Sequence, residues 1–247
     1  MEPAESRTSA EFISFRDEIR RLIDKKLEAA MNQRALGRKR LFVSQAKILL
    51  NEEIVKISGL SRETLSDFLK PLGDETAEIQ PAEEDAPLPF LAAFSRKIIP
   101  VEKMFSLLDG TMERRLQFDE SLIIDHPLDN PPGQEAYLSF GIEGRLYNHT
   151  SLDQCIREQR NRKKFGLTIE TGVAMAYLFP KMIPNFGAYF TGSRYGRADT
   201  ILCIYKFQNT PILGFVESER KIENALVFSC NRYSPQRKNR NIIHQTN

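Results

Sequence analysis

Tryptophan is absent from this chain, and cysteine and histidine occur only three times each. Cys155, Cys203 and Cys230 are odd in number and far apart, so they form no disulfide framework and no CxxC pair. They do not group with His126, His149 or His244 at metal-ligand spacing, so no metal is expected. No phosphate-loop or nucleophile-elbow motif is present, so no cofactor is expected. There is no apolar run of about 18 residues, which excludes a membrane-spanning helix of the usual kind. The opening MEPAESRTSAEF is polar and acidic where a signal peptide needs a basic and then an apolar stretch. The expected location is therefore the cytoplasm. Neither charge sign dominates: 35 Lys and Arg stand against 33 Asp and Glu, a net of +2. Attraction for an anionic partner must then come from how the charge is distributed.

Periodicity divides the chain. Phe12, Phe15, Ile19, Leu22, Ile23 and Leu27 recur at helical spacing over residues 10–31. VSQAKILLNEEIVKI (43–57) and SRETLSDFLKPL (61–72) read as two further helices joined through Gly59, with Ser61 as N-cap. This arrangement has the outline of a helix-turn-helix, but its outward face carries Glu63 and Asp67, which repel phosphate. DETAEIQPAEEDAPLP (74–89) has the composition of a stiff acidic linker. AYLSFGIEG (136–144) alternates like a strand, with a bulge suggested at Gly141. TSLDQCIREQRNRKKF is a short helix capped by Thr150 or Ser151 and closed by Phe165-Gly166. Thr168 then caps a second helix that ends before Pro180. GAYFTG, TILCIYKF, PILGFVES and ALVFSCNRY are β-branched and aromatic runs separated by turn residues. The expected architecture is α+β: a helical region (1–73), a linker (74–89), and a domain (90–233) with two helices packed on a mainly antiparallel sheet. A polar tail (234–247) follows.

In order, GLSRETLSDFLKPLG, PFLAAFSRKIIPVEKM, AYLSFGIEGRLYN, FGLTIETGVAMAYLFP and TGSRYGRADTILCIYKFQNTPILGF resemble an uncharacterised family of bacterial proteins. The shared marks are a GL-S-x-x-x-F segment, a YL strand, an LT-x-E-x-GVA helix, a GSR loop and an aliphatic P-x-LG strand, over roughly residues 50–215. The chain departs from the family after Gly214, where FVESERKIENALVF has neither tryptophan nor histidine. The resemblance implies a fold, with residues 57–69 as a packing element, and no catalytic residue.

The candidate chemistry is basic. Arg157, Arg160, Arg162, Lys163 and Lys164 crowd one helix end, and Arg232, Arg237, Lys238 and Arg240 form a second group. In TGSRYGRAD, Arg194 and Arg197 sit among small residues suited either to an anion-binding turn or to a plain glycine hairpin. Glu170 lies in the first turn of its helix, positioned to pair with Lys163, Lys164 or Arg194. As a catalytic acid it would need a tuned pKa and a partner that the sequence does not place beside it. His149 and Cys155 could be a nucleophile pair, but Cys155 on an apolar helix face reads as a core thiol. The function this favours is a non-catalytic binding module with a basic surface for a protein or an anionic ligand. The alternatives are nucleic-acid binding through residues 45–70 or the basic groups, and an enzyme built on Glu170 and the Gly192–Arg197 loop.

Overall fold

The computed structural model of the chain describes residues 33–109, 111–112, 118–126, 129 and 133–234. The helix expected over 10–31 lies outside these residues, as do Arg237, Lys238 and Arg240. The chain divides into two compact units, Met1–Leu41 and Phe42–Asn247. In the first, residues 33–41 are helical. The second holds every feature discussed below.

Residues 42–49 of the second unit form helix α1. The single helix expected over 43–57 is broken in two, because Asn51 turns extended and caps α2 (Glu52–Ser58), its side chain accepting from the Ile54 N–H at 2.9 Å. Gly59, at φ +71°, closes α2 in the left-handed region, where a residue without Cβ is least strained. Ser61 caps α3 (Arg62–Glu75), as its position before the apolar run requires.

Residues 74–89 are no linker. The end of α3, a 3-10 turn at Thr76–Glu78, α4 (Pro81–Glu84) and the start of β1 (Leu88–Phe94) occupy them. The acidic composition misleads because Glu83 is buried and held by Arg232 Nε at 2.7 Å. Ile79 is buried beside it in sequence. A charge with a dedicated partner can enter a folded interior, whereas an unpaired one cannot.

After α5 (Val101–Ser106) come β2 (Thr111–Met112), β3 (Ile123–Asp125), β4 (Ala136–Tyr147), β5 (Thr150–Ser151) and α6 (Leu152–Asn161). Then follow β6 (Phe165–Gly166), α7 (Ile169–Leu178), β7 (Ala188–Tyr195), β8 (Arg197–Phe207) and β9 (Thr210–Glu217). The last strands are β10 (Lys221–Ile222), β11 (Ala225–Cys230) and β12 (Arg232–Tyr233). The main sheet runs β1-β4-β11-β7-β8-β9-β2, with β3 on β7, β6 on β11 and β12 on β4. Its pairings are antiparallel except β11–β7 and β2–β9. The fold is α+β with a mainly antiparallel sheet.

Helices α6 and α7 take opposite faces of that sheet. Leu152 and Cys155 of α6 bury against Tyr189, Ile201 and Cys203. On α7, Gly172 lies so close to the Phe190 ring that a Cβ would overlap it. Tyr189 and Phe190 are neighbours in β7 and therefore point to opposite faces. Ser234, expected in the frayed tail, is buried: its N–H donates to Leu138 O at 2.8 Å and its hydroxyl to Glu75 at 2.6 Å.

Candidate functional site

Helix α6 is built from a capping box, with Ser151 accepting from the Gln154 N–H and Gln154 answering to the Ser151 N–H. Its end is not the glycine closure expected at Phe165-Gly166. Lys163 takes φ +55°, with Lys163 N–H on Arg160 O and Lys164 N–H on Gln159 O, both at 2.9 Å. That is the double-bonded left-handed cap usually given to glycine. Phe165 and Gly166 instead go into β6.

This ending distributes the basic cluster. Arg160 grips Asp129 with both guanidinium nitrogens, NH1 at 2.7 Å, while the Gly166 N–H donates to the same carboxylate at 2.9 Å. Arg162 pairs with Glu143 at 2.7 Å, Lys164 reaches Glu143 at 3.4 Å and Asn231, and Arg145 of β4 pairs with Glu158. Arg157 and Lys163 are exposed and form no ion pair among the described residues. Of the second basic group, Arg232 is committed to Glu83 and lies 3.9 Å over the Phe140 ring. His126, at 3.3 Å from Arg160, has a pKa below its ordinary value. Burial is the chief cause, and Arg160 and Arg194 add repulsion against the pull of Asp129.

Arg194 does not face an anion site. Strand β7 keeps one register with β8 at Tyr189↔Cys203, then shifts before Arg194↔Ile201 and again at Tyr195↔Arg197. The buried Arg194 guanidinium spans this irregularity, with Nε on Ala198 O at 2.9 Å, and NH1 on Thr191 O at 2.6 Å and Ser193 O at 3.2 Å. It supplies donors to carbonyls that a regular ladder would satisfy from the opposite strand. Burial lowers its pKa. GSRYG is therefore strand and hairpin: Gly196 at φ +67° makes the turn, and Arg197 is exposed just beyond it.

Glu170 is buried on the α7 side and pairs with none of the three expected cations. Its carboxylate accepts from Tyr137 OH at 2.7 Å and from the Arg96 N–H at 2.8 Å, with Arg96 NH1 at 3.8 Å. Lys163 and Lys164 belong to the end of α6, and Arg194 is turned into the sheet. Arg96 also binds Asp125 at 2.6 Å. Asp125 takes the Ser193 hydroxyl at 2.7 Å, and Ser193 in turn caps the Ile169 N–H at 3.0 Å. This chain ties the segment after β1 to β3, β4, β7 and α7 at one point. Burial, helped by the nearby Asp125 carboxylate, raises the Glu170 pKa against the opposing pull of Tyr137 and Arg96. The adjoining cavity, lined by Phe94, Ile99, Met104 and Val173, has a volume of about 10 Å³, room for about one water.

Compared with family models, curated proteins and solved structures, the chain matches none. Its function must be argued from these side chains alone. Cys155 is fully buried and its thiol is pushed up to about 12 by burial, which suits a core residue rather than a nucleophile. No group of three or more His, Cys, Asp or Glu residues suited to a metal ion exists among the described residues. No helix among them is long and apolar enough to cross a membrane. Tyr137, Arg96 and Asp125 were invisible as partners in the sequence, having no motif or periodicity to link them.

Proposed function

We propose that the chain is a non-catalytic binding module of the bacterial cytoplasm, sharing its fold with the family it resembles. Its α6–β4 surface takes an acidic protein partner. The observation that carries this reading is the charge left over on that surface. Asp129, Glu143 and Glu158 are already engaged by Arg160, Arg162, Lys164 and Arg145. Arg157 and Lys163 stand exposed beside them without an acid.

Two further observations support the choice. Both Glu170 oxygens are occupied by internal donors beside a cavity too small for a substrate, which favours an architectural role for the network. On α3 the exposed residues include Glu63 and Asp67, and Lys70 is spent on Asp67 at 2.6 Å. With Arg62 and Lys70 also exposed there, the face is near neutral and offers a duplex no surplus of positive charge.

The test is fluorescence anisotropy with a labelled acidic peptide and, separately, a DNA duplex. The double variant Arg157→Glu, Lys163→Asp is expected to weaken the peptide on the order of tenfold at low salt, with the difference shrinking as salt screens it. Aspartate is chosen because it tolerates the left-handed backbone at 163. Equal binding by wild type and variant would sink the reading, and tighter binding of duplex than of peptide would favour nucleic acid.

A further inference from the structure

Strand β4 outruns its neighbour on one edge. On that edge β1 pairs with it from Phe94↔Ala136 to Leu88↔Ile142. On the other, β12 pairs at Ser139 and Phe140 and β11 from Glu143↔Ser229 to Tyr147↔Ala225. Gly141, at φ +62°, stands near the end of the β1 pairing. Beyond it, the edge that faced β1 has no strand partner from Glu143 to Tyr147 among the described residues.

The direction of the main-chain groups there follows from β11. Leu226 N–H donates to Gly187 O, and Phe228 O accepts from Leu167 N–H, both at 3.4 Å and both away from β4. Alternation then directs Ala225, Val227 and Ser229 toward Tyr147, Arg145 and Glu143. The N–H and C=O of Gly144 and Leu146 are left pointing out across the open edge. Gly144 and Arg145 are exposed, and Leu146 is 53% exposed.

Two other edges of the sheet are covered at least in part. On β1 the buried Gln45 amide donates to Phe90 O at 3.1 Å and accepts from the Ala92 N–H at 2.8 Å, occupying the place of a neighbouring peptide group. On β9 the outer side is paired by β2 at Ile212 and Leu213. Open edges invite pairing and are usually blunted or covered.

The charge around the open edge selects the occupant. Arg145 and Arg162 lie on the α6 side of the strand, tied to Glu158 and Glu143. Lys164 shares Glu143, and Arg157 and Lys163 of the same surface have no acid among the described residues, so the surface is net positive. A second copy paired here would bring two such surfaces together. An extended chain with carboxylates at alternate positions brings opposite charge instead. Resting on the acidic-partner reading above, we propose that the edge of β4 at Gly144–Leu146 is a strand-addition site for an extended acidic segment of a partner protein. The segment bonds Gly144 and Leu146 through its main chain, and its carboxylates meet the surplus positive charge of the α6–β4 surface.

The probe is a short peptide alternating glutamate and valine, with an analogue N-methylated at every amide so that neither edge can donate. The expected result is binding of the parent peptide alone, with slowed deuterium exchange at the Gly144 and Leu146 amides of the wild-type protein. Leu146→Pro, which removes only an outward N–H from the ladder, is expected to weaken the parent peptide on the order of tenfold. Equal binding of both peptides would overturn strand addition while leaving the acidic-partner reading standing. No binding of either would overturn both. Protection of the two amides that rises with protein concentration, without peptide, would assign the edge to a second copy and overturn the proposal. The exchange and N-methyl arms use the unaltered protein, so they decide the matter even if Leu146→Pro fails to fold.

Discussion

Glu170 shows how a conspicuous residue acquires an unremarkable duty. Its place in the first turn of α7 is readable from Thr168 and the apolar run that follows, since caps act over three or four residues. Its partners are not, because Arg96 and Tyr137 lie 74 and 33 residues away. The buried carboxyl has a raised pKa, so the folded state holds its proton more tightly than the unfolded chain. Its contribution to stability is present below the usual carboxylate pKa and is lost as pH rises through the raised folded value. Glu170→Gln is therefore expected to flatten the fall in stability on the alkaline side of that range. Denaturant melts of both proteins across pH check this, and parallel curves would show that Glu170 is not the group responsible. Gly172 carries a plainer expectation. A methyl there meets the Phe190 ring, so Gly172→Ala should cost about 1–3 kcal/mol by overpacking despite alanine's better helix propensity. A melting temperature unchanged or raised would contradict the close approach.

At the scale of elements, helices and strands were legible wherever local chemistry decided them. Ser61, Ser151 and Thr168 cap helices because a short hydroxyl side chain reaches the next turn's N–H. The β-branched runs of β7, β8, β9 and β11 alternate because their faces differ in burial. Three local readings failed for physical reasons: Asn51 capped a new helix inside an apolar pattern, Lys163 took a glycine's backbone, and Arg194 left solvent to bridge an irregular ladder. Gln45 is the clearest case of an element finished by a distant side chain, since its amide meets β1 at residues 45 and 47 positions away. Gln45→Ala leaves Phe90 O and Ala92 N–H buried without it, an expected loss of about 1–3 kcal/mol. Gln45→Glu places an unpaired buried carboxylate against Phe90 O, so at neutral pH it should cost more than Gln45→Ala. Chemical denaturation of the three proteins checks the order.

For the molecule as a whole, the decisive difference concerns residues 74–89. A linker would be cut by protease in the native state. Here Glu83 is clasped by Arg232, 149 positions along, and Ser234 reaches Glu75 across 159. Limited proteolysis with a glutamate-specific enzyme should therefore spare Glu75, Glu78, Glu83 and Glu84 under native conditions, and Arg232→Ala should expose them. Ready cleavage of the wild type there would show that the segment is not held. The α+β class, the near-neutral charge, the helix caps and the strand-rich C-terminal third were determined by the sequence by itself, because periodicity, capping and composition act within a few residues. Only the tertiary structure decided which charges face solvent. Arg160, Arg162, Lys164 and Arg194 read alike on the page, yet they end on Asp129, on Glu143 and on main-chain carbonyls, while Arg157 and Lys163 remain outside. The sheet order sets those partners, and burying a charge is tolerable only where the fold brings its counter-charge or acceptor to meet it.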